Sequence, residues 1–200
     1  RKTIKLMQVT IDNTKLYQDL LSNSATMLFR LDGLNNVSVE DICKEAGLST
    51  GTFYKTYSSK NEVLESVISD LIVNSRIEYR TIMRKDEPFI YRVQLLIKNK
   101  VDSVSGISSN FIRELYDPNN MICANLLEQF RQEFREELRL DFFKAKRRKE
   151  IRSDVHVDFL IYMFDDIYRK VHDPELLKMC RSPKEVINQL TSYFFYGILP

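Results

Sequence analysis

The sequence predicts an all-α fold, and three observations carry that reading. Only five of its 200 residues are Gly and five are Pro, while 44% are apolar, a composition that favours long helices with short connections. Apolar residues recur at spacings of three and four along most of the chain. No six-residue stretch shows the clean alternation of polar and apolar residues that a half-buried strand needs.

Asn13 or Thr14 can start a first helix that turns Leu16, Leu20, Leu21, Ala25, Leu28 and Leu31 inward and ends near Gly33. Ahead of it, Arg1, Lys2 and Lys5 read either as a disordered terminus or as a mobile arm touching nucleic acid. From Val37 to Leu64, two short helices joined by a tight turn run directly into a third. Ser38 can N-cap the first, with Asp41 three residues on as a near capping box. Val39, Ile42, Cys43 and Ala46 share one face, and Gly47 stands where a left-handed C-cap is wanted. Ser49 caps the second helix, on which Phe53 and Tyr57 lie at i and i+4. Ser59-Lys60-Asn61-Glu62 is a capping box for the third, whose apolar stripe runs through Val63, Val67, Ile68, Leu71, Ile72, Tyr79 and Met83. Lys85-Asp86-Glu87-Pro88 breaks it.

Pro88, Ile90, Val93, Ile97, Val101 and Val104 mark a further helix that stops around Gly106, and a short segment from Ser109 to Asp117 ends against Pro118. Asn119 or Asn120 caps a long helix carrying Cys123, Leu127, Phe130, Phe134, Leu138, Phe142 and Ala145. It closes in the basic run Lys144–Lys149. Cations are favoured at a helix C-terminus, so this run reads as a solvated helix end before it reads as a nucleic-acid or nuclear-localisation signal. From Asp154 to Lys170 the apolar residues wrap nearly all round the expected helix. Ser182-Pro183-Lys184-Glu185 then supplies an N-cap, Pro at the first helical position and a capping-box Glu. The helix it opens holds Val186, Ile187, Leu190, Tyr193, Phe194, Phe195, Ile198 and Leu199. Two such helices carry more apolar surface than their own domain covers, which fits a two-fold four-helix bundle. Phe159, Met163, Ile167, Leu190, Phe194 and Ile198 are the expected dimer-interface residues.

The two short helices have the helix-turn-helix layout, whose second helix enters the DNA major groove. Its remaining residues suit that role, since Thr50, Thr52 and Thr56 offer hydroxyls, Tyr54 an aromatic hydroxyl and Lys55 a cation. Gly51 lets backbone approach a duplex closely. Ser38 and Ser49 at the helix starts complete the candidate set together with Lys60. Lys60 sits in a first helical turn, where a cation opposes the dipole and a bound phosphate would offset the cost.

Ala25-x-x-Leu28-Phe29, Gly33-Leu34, Val37-Ser38-Val39, Ile42, Ala46-Gly47-Leu48-Ser49, Gly51-Thr52-Phe53-Tyr54, Tyr57 and Ser59-Lys60 with Val63-Leu64 closely resemble the tetracycline-repressor (TetR) family. The detailed match covers about the first third of the chain. Tyr57 stands where the family mostly has Phe, and Cys43 where it usually has Ala. The resemblance implies a homodimeric, all-helical regulator that changes its grip on DNA when a small molecule binds. By it, residues 1–60 form the DNA-binding head, continuing into a connecting helix from residue 59, and residues 61–200 form an effector-binding and dimerisation domain. The helix from Ser59 is then the expected lever. The pocket is expected among the C-terminal helices, with Tyr79, Met83, Tyr91, Phe111, Met121, Phe130, Phe134 and Tyr162 as candidate walls. An apolar or aromatic effector suits them better than a highly charged one. Double-stranded DNA with a near-palindromic operator is the expected partner.

Charge placement agrees with this division. Residues 1–60 carry eight Lys and Arg against six Asp and Glu, and residues 61–200 carry twenty-two of each, so the net +2 lies in the head. The longest wholly apolar run, Phe159 to Phe164, is too short to cross a bilayer. Three scattered cysteines, Cys43, Cys123 and Cys180, suit a reducing cytoplasm rather than a disulfide framework. Catalysis is not expected: the chain has no GxGxxG, P-loop, HExxH or GxSxG motif. Of the two histidines, His172 with Asp173 and Cys180 offers at most a loop of ordinary polar residues, so neither metal nor cofactor is expected. A helical protein-interaction module and an activator needing no small molecule are the competing readings.

Overall fold

The computed structural model describes residues 2–103, 105–170, 173–180 and 182–199, with side chains from Thr14 onward except those of Val101, Tyr168 and Pro183. Among the described residues it forms ten helices and no strand: α1 (Lys2–Asp32), α2 (Val39–Ala46), α3 (Thr50–Thr56), α4 (Lys60–Met83), α5 (Phe89–Ser103), α6 (Ser109–Leu115), α7 (Met121–Arg147), α8 (Val157–Lys170), α9 (Pro174–Met179) and α10 (Pro183–Gly197).

Two boundaries and one additional helix differ from the sequence reading, each for a local reason. α1 begins at Lys2 and not at Asn13 or Thr14, since no Gly or Pro precedes Gly33 to interrupt it. The backbone at Lys2 and Lys5 is therefore helical, while Arg1 and the side chains of the proposed basic arm lie outside the described residues. α8 starts at Val157, because the Asp154 carboxylate is held by the Arg152 guanidinium at 2.6 Å in the preceding turn and caps no helix. α9 has no counterpart in the sequence reading. Its signal is nonetheless present in Asp173-Pro174-Glu175: the Asp173 carboxylate accepts from the amides of Glu175 at 2.9 Å and Leu176 at 3.4 Å. Of the two candidate caps for α7, Asn120 is the one used, its side-chain oxygen accepting from Cys123 N at 3.3 Å.

The chain divides into two compact units, residues 1–71 with 110–126 and residues 72–109 with 127–200. This is not the expected split after residue 60. The first turns of α4 and the whole stretch from Asn110 to Leu126 belong with the head. In the first unit α1, α2 and α3 pack on one another. They enclose Leu21, Ala25, Phe29, Ile42, Phe53 and Val63, all fully buried, with Phe111, Ile112 and Cys123 from the later segment also buried.

In the second unit α10 packs against α5, α8 and α9. The core there gathers Phe89, Val93, Phe134, Leu138, Phe142, Leu160, Ile161, Phe194, Phe195 and Ile198. Aromatic edges meet faces within it: Phe194 and Phe195 stand 5.2 Å apart at 83°. Ion pairs stitch α4 to α7 inside this unit. Arg80 Nε donates to Glu137 Oε1 at 2.6 Å and Arg76 Nε to Glu137 Oε2 at 3.1 Å, while Arg76 also reaches Glu133 at 3.0 Å. Burial works to raise the Glu137 carboxyl, but the hydrogen bonds from Arg80 and Arg76 outweigh it and hold the group below its ordinary range. No described helix is long and apolar enough to cross a membrane.

Candidate nucleic-acid interface

The helix-turn-helix is built by reciprocal capping. Ser38 Oγ accepts from Asp41 N at 3.1 Å, and the Asp41 carboxylate takes the Ser38 amide at 2.9 Å and its hydroxyl at 2.6 Å, a complete capping box. These bonds hold the Asp41 carboxyl below its ordinary range. α2 ends at Gly47 with φ +65°, and Leu48 N returns to Cys43 O at 2.9 Å. A Cβ at Gly47 would meet nothing, so the conformation alone demands glycine there. Ser49 Oγ then accepts from Thr52 N at 3.0 Å and opens α3.

This frame anchors α3 by one side and leaves the other free. Phe53 is fully buried and Tyr57 nearly so, their rings 6.0 Å apart. Thr50, Gly51, Tyr54 and Lys55 face outward together, with Tyr54 58% exposed. Thr52 and Thr56 are half-buried: the Thr56 hydroxyl donates to Thr52 O at 3.0 Å, and Thr52 Oγ1 lies 3.0 Å from Ser49 Oγ. Ser38 and Ser49 are engaged in capping. The structure therefore brings Thr50, Gly51, Tyr54 and Lys55 of α3 onto one open ridge and leaves Thr52 and Thr56 half-buried and hydrogen-bonded within the head.

Lys60 has a partner that sequence reasoning missed. Its ammonium donates to Leu34 O at 2.6 Å and sits 5.9 Å over the Phe29 ring. The cost of a cation in the first turn of α4 is thus offset from within, and no bound phosphate is required for it. Burial lowers the Lys60 pKa, against the opposing pull of the Glu114 and Asp41 carboxylates. The capping at this helix start is also shared differently. Ser59 Oγ accepts from Glu62 N at 3.3 Å, but the Glu62 carboxylate turns to Ser58, taking its amide and hydroxyl.

Glu114 on α6 is a second residue the sequence reading passed over. Its Oε2 accepts from Leu34 N at 2.5 Å and Asn35 N at 3.1 Å, so the Leu34 backbone is held by an anion at its N–H and by Lys60 at its carbonyl. Gly33 makes this approach possible. It sits at φ +98°, and a Cβ there would lie 2.9 Å from both Asn110 Cβ and Glu114 Oε2.

The candidate effector residues do not form one set. Tyr79, Phe130 and Phe134 come together: the Tyr79 ring meets Phe134 edge-on at 4.7 Å, and Phe130 stacks on Phe134 at 5.1 Å. Met83 packs on the same core. Tyr79 OH donates to Asp141 Oδ2 at 3.1 Å, and burial, with the Asp141 charge beside it, pushes the phenol far above its usual range. Tyr91 and Met121 are exposed, Met121 by 63%, and Phe111 is buried in the head unit. Tyr162 is 71% exposed and borders a surface groove of about 260 Å³ with Arg135, Arg139 and Asp165. Helical spacing placed these side chains on apolar stripes without showing which stripe turns inward.

The dimer residues need the same correction. Phe194 and Ile198 are buried within the chain itself, and Met163, Ile167 and Leu190 are half-buried. The exposed face of α10 carries Tyr193, 82% exposed, and Tyr196, while α8 presents Phe159 and Tyr162. Where a helix is apolar almost all round, sequence alone does not fix its phase. His172 of the weighed metal site lies outside the described residues, and no cluster of three or more His, Cys, Asp or Glu able to hold a metal occurs among the described ones.

A capped two-helix frame presenting a polar ridge on α3 defines a helix-turn-helix DNA-binding head. Residues 21–67 match the family described as bacterial regulatory proteins of the tetR family. By that match the chain carries a TetR-type helix-turn-helix head, and it is similar to transcriptional regulators of that family. It is 34% identical over 65 residues to the HTH-type transcriptional regulator YvdT of Bacillus subtilis (strain 168), a match covering 32% of this chain and 34% of that protein. It is 23% identical over 163 residues to YvaF, another HTH-type transcriptional regulator of the same organism, covering 80% and 85%. The fold matches that of the fatty acid degradation regulator FadR from Bacillus halodurans, with a TM-score of 0.68 at 14% identity over 90% of this chain and 95% of that one.

Proposed function

We propose that the protein is a homodimeric repressor that binds a near-palindromic operator through α3 and is released by a small-molecule effector. The observation that carries the DNA-binding part is the outward ridge of Thr50, Gly51, Tyr54 and Lys55 on a helix fixed from behind by Phe53 and Tyr57. A short helix with one lysine makes few charge contacts, so two heads on adjacent half-sites supply the affinity that one lacks. The exposed aromatics Phe159, Tyr162, Tyr193 and Tyr196 support self-association, because apolar surface of this kind on packed helices is rarely left to water. Tyr79, Met83, Phe130 and Phe134 supply an aromatic wall in the second unit for an apolar or aromatic effector. Repression is the commoner mode in this family and is adopted on that ground.

Selection of binding sites from random duplex DNA at near-physiological salt tests this reading. An enriched palindrome, bound by a species whose mass in sedimentation is that of two chains, is the expected result. Recovery of no motif by the folded protein overturns it in favour of an interaction module.

A further inference from the structure

Three elements of the second unit aim cations at one cleft of about 360 Å³, within the size range of small-molecule sites. Arg80 comes from the last turn of α4, Arg84 and Lys85 follow that helix, Lys144 comes from the last turn of α7 and Arg148 follows it directly, and Arg92 comes from the first turn of α5. Six cationic and four anionic side chains line it. The carboxylates are largely spent: Glu137 on Arg80, Glu150 on Arg92, and Asp141 on Tyr79 and Lys144. Arg84, Lys85 and Arg148 have no ion-pair partner among the described residues, and only Asp86 of the lining acids is likewise uncommitted.

Helix dipoles account for cations in the last turns of α4 and α7, but they do not account for the convergence of two helix ends some sixty residues apart in sequence. They oppose Arg92 outright. It is a cation in a first turn, only 7% exposed, pinned by Met83 O at 3.0 Å and by both Glu150 oxygens, the nearer at 3.1 Å. Arg92 thus sets a pinned positive wall, and the exposed guanidinium groups of Arg84 and Arg148 line the same cleft. Planar guanidinium forks match phosphate oxygens two at a time, whereas a neutral apolar molecule would have to strip water from these charges without replacing it.

We infer that this cleft is a binding site for a small, multiply charged anion, of which a phosphate-bearing metabolite is the best chemical match. The site goes beyond the DNA-binding reading and is independent of it. It gives a role to the basic end of α7, which the sequence alone left as a solvated helix terminus.

Thermal unfolding and calorimetric titration of the full chain at constant ionic strength, without DNA, test the site. Pyrophosphate is the probe, citrate is a carboxylate comparison, and chloride is the ionic control. The expected result is a midpoint that rises with pyrophosphate but not with chloride, and an affinity reduced about tenfold or more in R84A/R148A, the equivalent of at least one charge-assisted contact. Both positions are exposed, so the variant should fold as the parent does. Arg84→Lys with Arg148→Lys, which keeps charge but loses the fork, should fall between the two. A response to citrate equal to that to pyrophosphate would overturn the phosphate assignment. An unchanged response in R84A/R148A, or none to either anion, would overturn the site itself.

Discussion

Gly51 separates what α3 needs in order to fold from what it needs in order to bind. It lies in the first turn of a seven-residue helix and has no positive φ. A Cβ built on it meets only Ser49 Oγ at 3.6 Å, an ordinary contact, so the fold places no demand on glycine here. Alanine is about 1 kcal/mol better than glycine in a helix interior, and roughly half of that is expected this close to the N-terminus. Gly51→Ala should therefore raise the unfolding midpoint by about 1–2 °C in a chain of this size. Duplex binding should move the other way. A methyl group on the exposed ridge beside Thr50 and Tyr54 holds the backbone off the phosphates, and losing about one such contact costs roughly tenfold in affinity. Circular dichroism melting and fluorescence anisotropy with the selected duplex read the two effects independently. A lowered midpoint would show that the geometry of α3 is misjudged. Parental affinity in the stabilised variant would show that this ridge is not the face turned to DNA.

Glu114→Ala should cost about 2 kcal/mol in denaturant unfolding of the head, because two amides lose a carboxylate acceptor; parental stability would mean that water replaces it at no cost. Tyr79 should remain a phenol as long as the protein stays folded, so Tyr79→Phe should leave the alkaline absorbance titration of the folded protein unchanged. The sign follows from its raised folded pKa: the contribution is fully present below the unfolded value near 10 and is lost as pH rises above it, so Tyr79→Phe should flatten the alkaline loss of stability. A smaller alkaline absorbance change in folded Tyr79→Phe than in the folded parent would contradict that burial. Under native conditions near neutral pH, Cys180 should react first with a thiol reagent, since Cys43 and Cys123 are buried and burial pushes the Cys123 thiol up to about 11; peptide mapping that finds Cys123 modified first would refute this.

The helix-turn-helix was legible because its information is local. Ser38 with Asp41, Gly47, and Ser49 with Thr52 each act over three or four residues, within the span of a capping motif, and the structure uses every one of them. Asp173-Pro174 carried the same kind of signal for α9 and was readable in principle. The partners of Lys60 and Glu114 were not. The lysine reaches a carbonyl 26 positions away and the carboxylate an amide 80 positions away, and a backbone group has no side-chain identity for a sequence pattern to mark. The same limit governs α10. Tyr193, Phe194, Phe195 and Tyr196 are four consecutive aromatics spread around most of the helix, so hydrophobicity cannot choose between inward and outward. What separates them is the hydroxyl. Phe194 and Phe195 enter a core in which they meet each other and Phe142 with no polar atom to satisfy, while Tyr193 and Tyr196 keep theirs in water. Tyr79 fits the rule from the other side, its buried hydroxyl donating a hydrogen bond to Asp141. In an all-helical chain this rich in aromatics, the cost of burying an unpaired hydroxyl sets helix phase where apolar periodicity is silent.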